Sequence, residues 1–243
     1  VGDSFSDGQG ILAKMILAVI IWLLSIALVS FTSGWYIRRY GRSDLAIVFY
    51  IIYLAMAQIL ATKITTFQFG SFTLSAPAAV FVFPFTFQII DIVNEAFSKK
   101  VVQRMIILAL VSQVFMNLFL IIGLSLPPVD ESWKRIFAFV PRITVASWLA
   151  FFVSQNFDAF LYELFRRLTK ERFLWLRNIA SDLLSLTLDS FLFITLAFYG
   201  RAPVIPLIFG QVVLKGIIGG IDFPFLYLAR WAMGRKPPNA SIT

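Results

Sequence analysis

The chain has 243 residues, of which 59% are hydrophobic and 14% charged; its formal net charge is +8, and it holds no cysteine and no histidine. Soluble domains carry about 25% charged residues, so this composition points to a membrane protein, and the two missing residue types exclude disulfides, thiol nucleophiles, Cys/His zinc sites and histidine proton relays. In such a protein the basic excess belongs to cytoplasmic loops and anionic headgroups rather than to nucleic acid.

Val1–Gly10 is polar and lacks an initiator methionine. The run that follows is too long for a signal peptide and has no small-x-small cleavage site after it, so it reads as a transmembrane helix. Seven apolar runs follow one another, each near the length needed to cross a hydrocarbon core of roughly 30 Å. They fall at Leu12–Phe31, Leu45–Ile64, Ser75–Asn94, Val101–Leu124, Phe137–Phe160, Ile179–Phe198 and Val204–Trp231. The expected fold is therefore all-α, a single integral membrane bundle over residues 1–243. Pro77 and Pro84 make the third run the least regular, since each frees a backbone carbonyl that protein or a polar cavity must satisfy. The seventh holds Gly216, Gly219, Gly220 and Pro224, which predicts a bend or close packing through the Gly216-x-x-x-Gly220 spacing.

Basic residues cluster in alternate loops: Arg38, Arg39 and Arg42, then Lys99, Lys100 and Arg104, then Arg166 to Arg177, then Arg230, Arg235 and Lys236. The opposite loops hold fewer. By the positive-inside rule this predicts a plasma-membrane protein with its N-terminus outside and its C-terminus cytoplasmic. Trp35, Trp133, Trp175 and Trp231 fall at span ends, where an aromatic belt belongs.

Ionisable groups inside the spans carry the functional signal. A charge at the bilayer centre costs at least about 2.5–3.5 kcal/mol, so it faces a partner or a polar cavity. Asp91, Asn94 and Glu95 lie at one end of the third span, Gln155 and Asp158 near the same end of the fifth, and Asp182 and Asp189 in the sixth. Gln211, Lys215 and Asp222, spaced by four and seven, make a polar stripe down the seventh. Lys215 needs an anion, and Asp189 is the natural partner. A structural ion-pair network, or snorkelling at the interface, is the competing use of these groups.

Phe83–Glu95 reads FPFTFQIIDIVNE, Gln155 opens QNFDAFLYELFRRLT, and Phe173 opens FLWLRNIASDLLSLTLDSFLFITLAFYG. In order from about Tyr53 to Trp231, this resembles the vitamin uptake transporter family, which includes the queuosine precursor transporters. The resemblance implies a six-span core at 45–231 preceded by an extra helix and loop at 1–44. It also implies uptake of a 7-deazaguanine such as 7-cyano- or 7-aminomethyl-7-deazaguanine. Residues carried over are Pro84, Thr86, Asp91, Asn94, Glu95, Gln155, Asp158, Trp175, Arg177, Asn178, Ser181, Asp189, Lys215 and Pro224. Gln58, Asp182 and Leu186 depart from the family pattern, where asparagine, threonine and a polar residue are usual.

The resemblance and the residue chemistry agree. A deazaguanine offers N1–H and an exocyclic amine side by side, a donor pair that one carboxylate accepts together. Asp91, Glu95, Asp158 and Asp189 are the acceptor candidates; Asn94, Gln155 and Lys215 can read the ring carbonyl; Phe85, Phe87 and Phe157 are candidate stacking faces. The expected partners are this small deazapurine base and the lipid bilayer, with no nucleic acid; homo-oligomerisation stays open. No cofactor is implied. With no G-x-x-x-x-G-K-[ST] loop the chain cannot energise itself with nucleotide.

A carrier working by alternating access between spans three, five, six and seven is the expected function. The alternatives are a substrate-binding component for another small polar cargo, or a non-transporting receptor or structural protein. An intramembrane enzyme is disfavoured: Asp182 and Asp189 on one helix would stand about 10.5 Å apart along its axis, at roughly 1.5 Å per residue, too far to share a proton.

Overall fold

A computed structural model describes residues 3–69, 72–127, 131–168 and 174–234. In chain order the elements are α1 (Asp3–Tyr40), α2 (Asp44–Leu60), a hairpin of β1 (Ile64–Phe69) and β2 (Phe72–Pro77), and a 3-10 turn (Ala78–Phe81). Then come α3 (Phe83–Ala96), α4 (Lys99–Ser125), the short α5 (Ser132–Phe137), α6 (Val140–Leu168), α7 (Leu174–Phe198) and α8 (Val204–Met233). Among the described residues five stretches are long and apolar enough to cross a membrane: Ile16–Tyr40, Ala78–Ala96, Lys99–Ser125, Ser132–Phe157 and Val204–Met233. Asp44–Leu60 and Leu183–Phe198 are further apolar helical stretches of the described residues, so the all-α membrane bundle is present and five of the seven expected spans reach full length there.

Outward faces explain the composition. Phe119, Phe152 and Ile205 are 70%, 70% and 81% exposed, on helices whose other faces are packed. Water would drive such faces together, whereas lipid leaves them covered without a protein partner. This is a multi-pass membrane protein.

The third apolar run departs from the expected helix. Its first part forms β2, paired antiparallel with β1 in the register Ile64↔Pro77 through Phe69↔Phe72. Ala78 N–H extends the ladder to the Lys63 carbonyl at 2.7 Å. ITTFQF is rich in β-branched and aromatic residues, and Pro77 cannot donate within a helix, so helical structure is postponed to α3. The hairpin buries Leu74 and Ala76 and leaves Lys63, Thr66 and Gln68 exposed. Gly210 of α8 lies so close to the hairpin that a Cβ there would collide with the Ser75 backbone. Among the described residues the glycines expected to pack closely have no such neighbour: a Cβ at Gly216, Gly219 or Gly220 meets nothing within 4 Å. Helix ends follow ordinary rules. Gly41 (φ 66°) and Gly200 (φ 80°) take the left-handed conformation that stops α1 and α7. α8 continues through Pro224, which gives up the hydrogen bond to the carbonyl one turn earlier.

Two compact units can be distinguished. The first comprises Val1–Tyr50, Pro84–Ile106 and Ile221–Thr243, and the second Ile51–Phe83 and Ile107–Gly220. The core of the first is Ile37, Ile92, Ala96, Ala229 and Met233. There α1 approaches α8 closely, a Cβ at Gly34 falling 2.5 Å from the Ala229 carbonyl oxygen. The second is built around Ala61, Phe139, Ile143, Ala146, Ile194, Ala197, Phe198 and Leu207. In it α6 and α7 pack along one another. Arg142 of α6 ties down the end of α7, donating from Nε to the Leu196 carbonyl at 3.0 Å and from Nη2 to the Tyr199 carbonyl at 2.9 Å.

Candidate functional site

In the second unit, α7 presents Asp189 to α8, and Lys215 answers it: Nζ donates to Asp189 Oδ2 at 2.6 Å. The pairing expected from the sequence is formed. Ser154 of α6 approaches the other carboxylate oxygen, Oδ1, at 3.5 Å, a distance at which a hydrogen bond is weak. Lys215 Nζ also stands 4.3 Å from the centre of the Phe83 ring, at the first residue of α3, within the range of a cation–π contact. Two opposite charges, a hydroxyl and an aromatic face thus meet where three helices and the start of a fourth converge.

Exposure divides the pair. The Lys215 side chain is 9% exposed and that of Asp189 22%. The ammonium is enclosed by a carboxylate and a ring, while the Asp189 side chain stays partly open, with the Ser154 hydroxyl near its Oδ1. A carboxylate edge in a membrane-spanning helix must meet water or a polar ligand, because lipid offers it no donor. Gln211, one turn before Lys215 on the same face of α8, is 4% exposed and extends this polar surface.

A second polar cluster occupies the same unit and carries no charge. Gln58 of α2, Gln113 and Asn117 of α4, and Thr144 and Trp148 of α6 are linked by hydrogen bonds. Thr144 Oγ1 lies 2.7 Å from Gln58 Oε1, and Trp148 Nε1 donates to Gln113 Oε1 at 2.8 Å. Gln58, Gln113 and Thr144 are each at most 2% exposed. Within the cluster the Gln113 side-chain nitrogen has no partner among the described residues. An unpaired buried donor costs about 1–3 kcal/mol.

The other expected residues divide by unit. Asp91, Asn94 and Glu95 belong to the first unit and share the exposed face of α3, opposite the buried Ile92, Val93 and Ala96. Glu95 Oε1 accepts from Arg230 Nη2 at 2.7 Å, so one proposed acceptor already has a cation. Gln155 is exposed on α6 beside the buried Ser154. Asp158, Asp182 and Asp222, with Trp175, Arg177, Asn178 and Ser181, lie outside the described side chains.

Three contributions escaped the sequence. Phe83, rather than Phe85, Phe87 or Phe157, is the ring over Lys215; it opens the FPFTFQIIDIVNE motif but nothing marked it among so many phenylalanines. Ser154 was inconspicuous beside Gln155. The neutral cluster did leave a trace, since Gln113 and Asn117 stand four apart in an apolar run and so share a face.

Comparisons with known proteins now bear on this geometry. The family model described as "Putative vitamin uptake transporter" matches residues 77–229. That range holds Phe83, Asp189 and Lys215, and it leaves out Gln58. A protein of Bacillus subtilis (strain 168) described as "Probable queuosine precursor transporter" is 35% identical over 101 residues, covering 40% of this chain and 44% of that protein. The chain therefore matches less than half the length of that relative. No solved structure gives a significant match.

Proposed function

The chain belongs to the vitamin uptake transporter family, and from that premise we propose that it imports a queuosine precursor by alternating access around Asp189 and Lys215. The cargo is a 7-deazaguanine base, 7-cyano- or 7-aminomethyl-7-deazaguanine. The observation that carries this reading is the ion pair with its unequal exposure: an enclosed ammonium beside a carboxylate side chain that stays 22% exposed. The base offers N1–H and an exocyclic amine to one carboxylate, and Lys215 lies on the same carboxylate, placed for the ring carbonyl. The name of the Bacillus subtilis relative supports the same cargo.

Gln155 and Asp158 are further proposed cargo residues of the second unit, and Asp91, Asn94 and Glu95 of the first. The N-terminus lies outside and the C-terminus in the cytoplasm, as the basic loops favour. The chain moves its cargo without covalent chemistry, and Pro84 and Gly219–Gly220 are its proposed hinges.

The test uses cells unable to make queuosine precursors and lacking their own carrier. Supplied with nanomolar 7-cyano-7-deazaguanine and this protein, they are expected to regain queuosine in tRNA, and to lose it with Asp189→Asn at equal protein level. Absence of queuosine with the wild-type protein present in the membrane overturns the cargo assignment. Transport by the variant at the wild-type rate overturns the site.

A further inference from the structure

The neutral cluster of the second unit has hydrogen bonds that admit one orientation of its amides. Trp148 Nε1 meets a Gln113 side-chain atom at 2.8 Å, and an indole N–H only donates, so that atom is the oxygen. Gln58 Nε2 donates to the same oxygen. This turns Gln58 Oε1 toward the Thr144 hydroxyl, 2.7 Å away. Asn117 Nδ2 supplies Thr144 Oγ1 at 3.1 Å and the Gln113 backbone carbonyl at 2.9 Å. The consequence falls on Gln113 Nε2. Its two N–H groups point away from both donors that fix the amide, and they find no acceptor among the described residues. Flipping the amide does not help, because it would set two donors against Trp148 and Gln58.

Packing alone does not call for this residue. Methionine fills a similar volume and leaves no donor behind. A glutamine held so firmly by its oxygen, with both N–H groups unspent, is suited to an acceptor brought from elsewhere. Neighbouring groups narrow its chemistry. The cluster has no charged member, which favours a neutral ligand, and it has an indole beside the amide, suited to a flat ring.

We propose that Gln113 Nε2 anchors a second cargo site, distinct from Asp189–Lys215, which takes a carbonyl or ring-nitrogen acceptor of a neutral planar base when α2, α4 and α6 part. The site rests on the reading of the chain as a carrier of such a base. Here the three helices close over the amide, leaving Gln113 1% exposed. A carrier that alternates must seal each of its sites in one conformation and open it in another.

The experiment compares uptake of 7-cyano-7-deazaguanine into proteoliposomes with thermal stability, for three forms of the full chain. Gln113→Met leaves Trp148 and Gln58 without their acceptor, so its melting temperature falls under any reading. The triple variant Gln58→Met/Gln113→Met/Trp148→Phe removes those donors too, and replacing partners together restores stability. A cargo site predicts that the triple variant regains its melting temperature while KM stays raised by roughly tenfold or more. A cluster that only sets helix register predicts that KM returns as well, and that result overturns the proposal.

Should the triple variant fail to fold, the wild-type chain labelled with 5-fluorotryptophan decides. The 19F resonance that Trp148→Phe removes must move on saturation with the base, and a resonance that stays in place overturns the site. Wild-type vesicles that take up no base sink the transport reading and this inference together. Normal wild-type uptake with an unchanged triple variant sinks this inference alone.

Discussion

Asp189 and Lys215 form an ion pair whose halves are unequally covered, the ammonium side chain 9% exposed and the carboxylate side chain 22%. Removing either partner strands the other in a region where a lone charge is costly. Breaking a buried pair typically costs about 3–5 kcal/mol, whereas replacing both partners with apolar groups is often neutral. Asp189→Ala is therefore expected to lower the melting temperature, and Asp189→Ala/Lys215→Met to restore it without restoring uptake. A double variant that still transports would reduce the pair to a structural staple.

Gly210 and Gly216 give opposite expectations on one helix. A Cβ at Gly210 collides with the Ser75 backbone, which cannot rotate aside, while one at Gly216 meets open space. Gly210→Ala should destabilise by about 1–3 kcal/mol, the usual range for overpacking. Gly216→Ala should be neutral or stabilising by up to about 1 kcal/mol, from helix propensity. Melting temperatures in one detergent would show the two signs, and equal effects would contradict the close approach of β2 to α8.

The Glu95–Arg230 pair predicts a small effect. Its side chains are 34% and 48% exposed, so solvent screens the attraction and the pair contributes about 1 kcal/mol or less. Arg230→Ala should leave the melting temperature within a few degrees of wild type, and added salt should erase the difference. A large loss of stability would mean that the pair holds the first unit together.

Arg142 satisfies two carbonyls at the end of α7 from one guanidinium. Arg142→Met should cost about 0.5–1.5 kcal/mol, the net worth of an ordinary hydrogen bond, because both bonds are exposed. Arg142→Lys should recover only part of this, because an ammonium lacks the fork that reaches both oxygens. Full recovery with lysine would show that charge near the helix end, rather than geometry, is what counts.

The spans were legible because lipid imposes a simple length and polarity rule on sequence. The Asp189–Lys215 pair was legible for the same reason, since an intramembrane charge advertises its need for a counter-charge. The hairpin was not. Pro77 flagged irregularity, but Ile64–Phe69 began at the end of the second apolar run and stopped short of the third, and ITTFQF breaks the strict alternation that marks a half-buried strand. Close packing at Gly216 and Gly220 was the wrong inference from a right spacing: the motif allows approach, and the helix must still have a neighbour on that face. Neutral amides such as Gln113 carry a lower penalty in lipid than charges do, so their burial shows only when partners are brought together in space.

The hairpin has a bearing beyond its packing. A two-stranded ladder leaves the outer edge of each strand with amides and carbonyls that no neighbouring strand takes up. Hydrocarbon would not tolerate such an edge unless protein covered it, and Lys63, Thr66 and Gln68 are exposed here. The outer edge of β2 has such cover where α8 lies against the Ser75 backbone at Gly210. A side chain at position 210 would prise α8 away and bare that edge of the ladder.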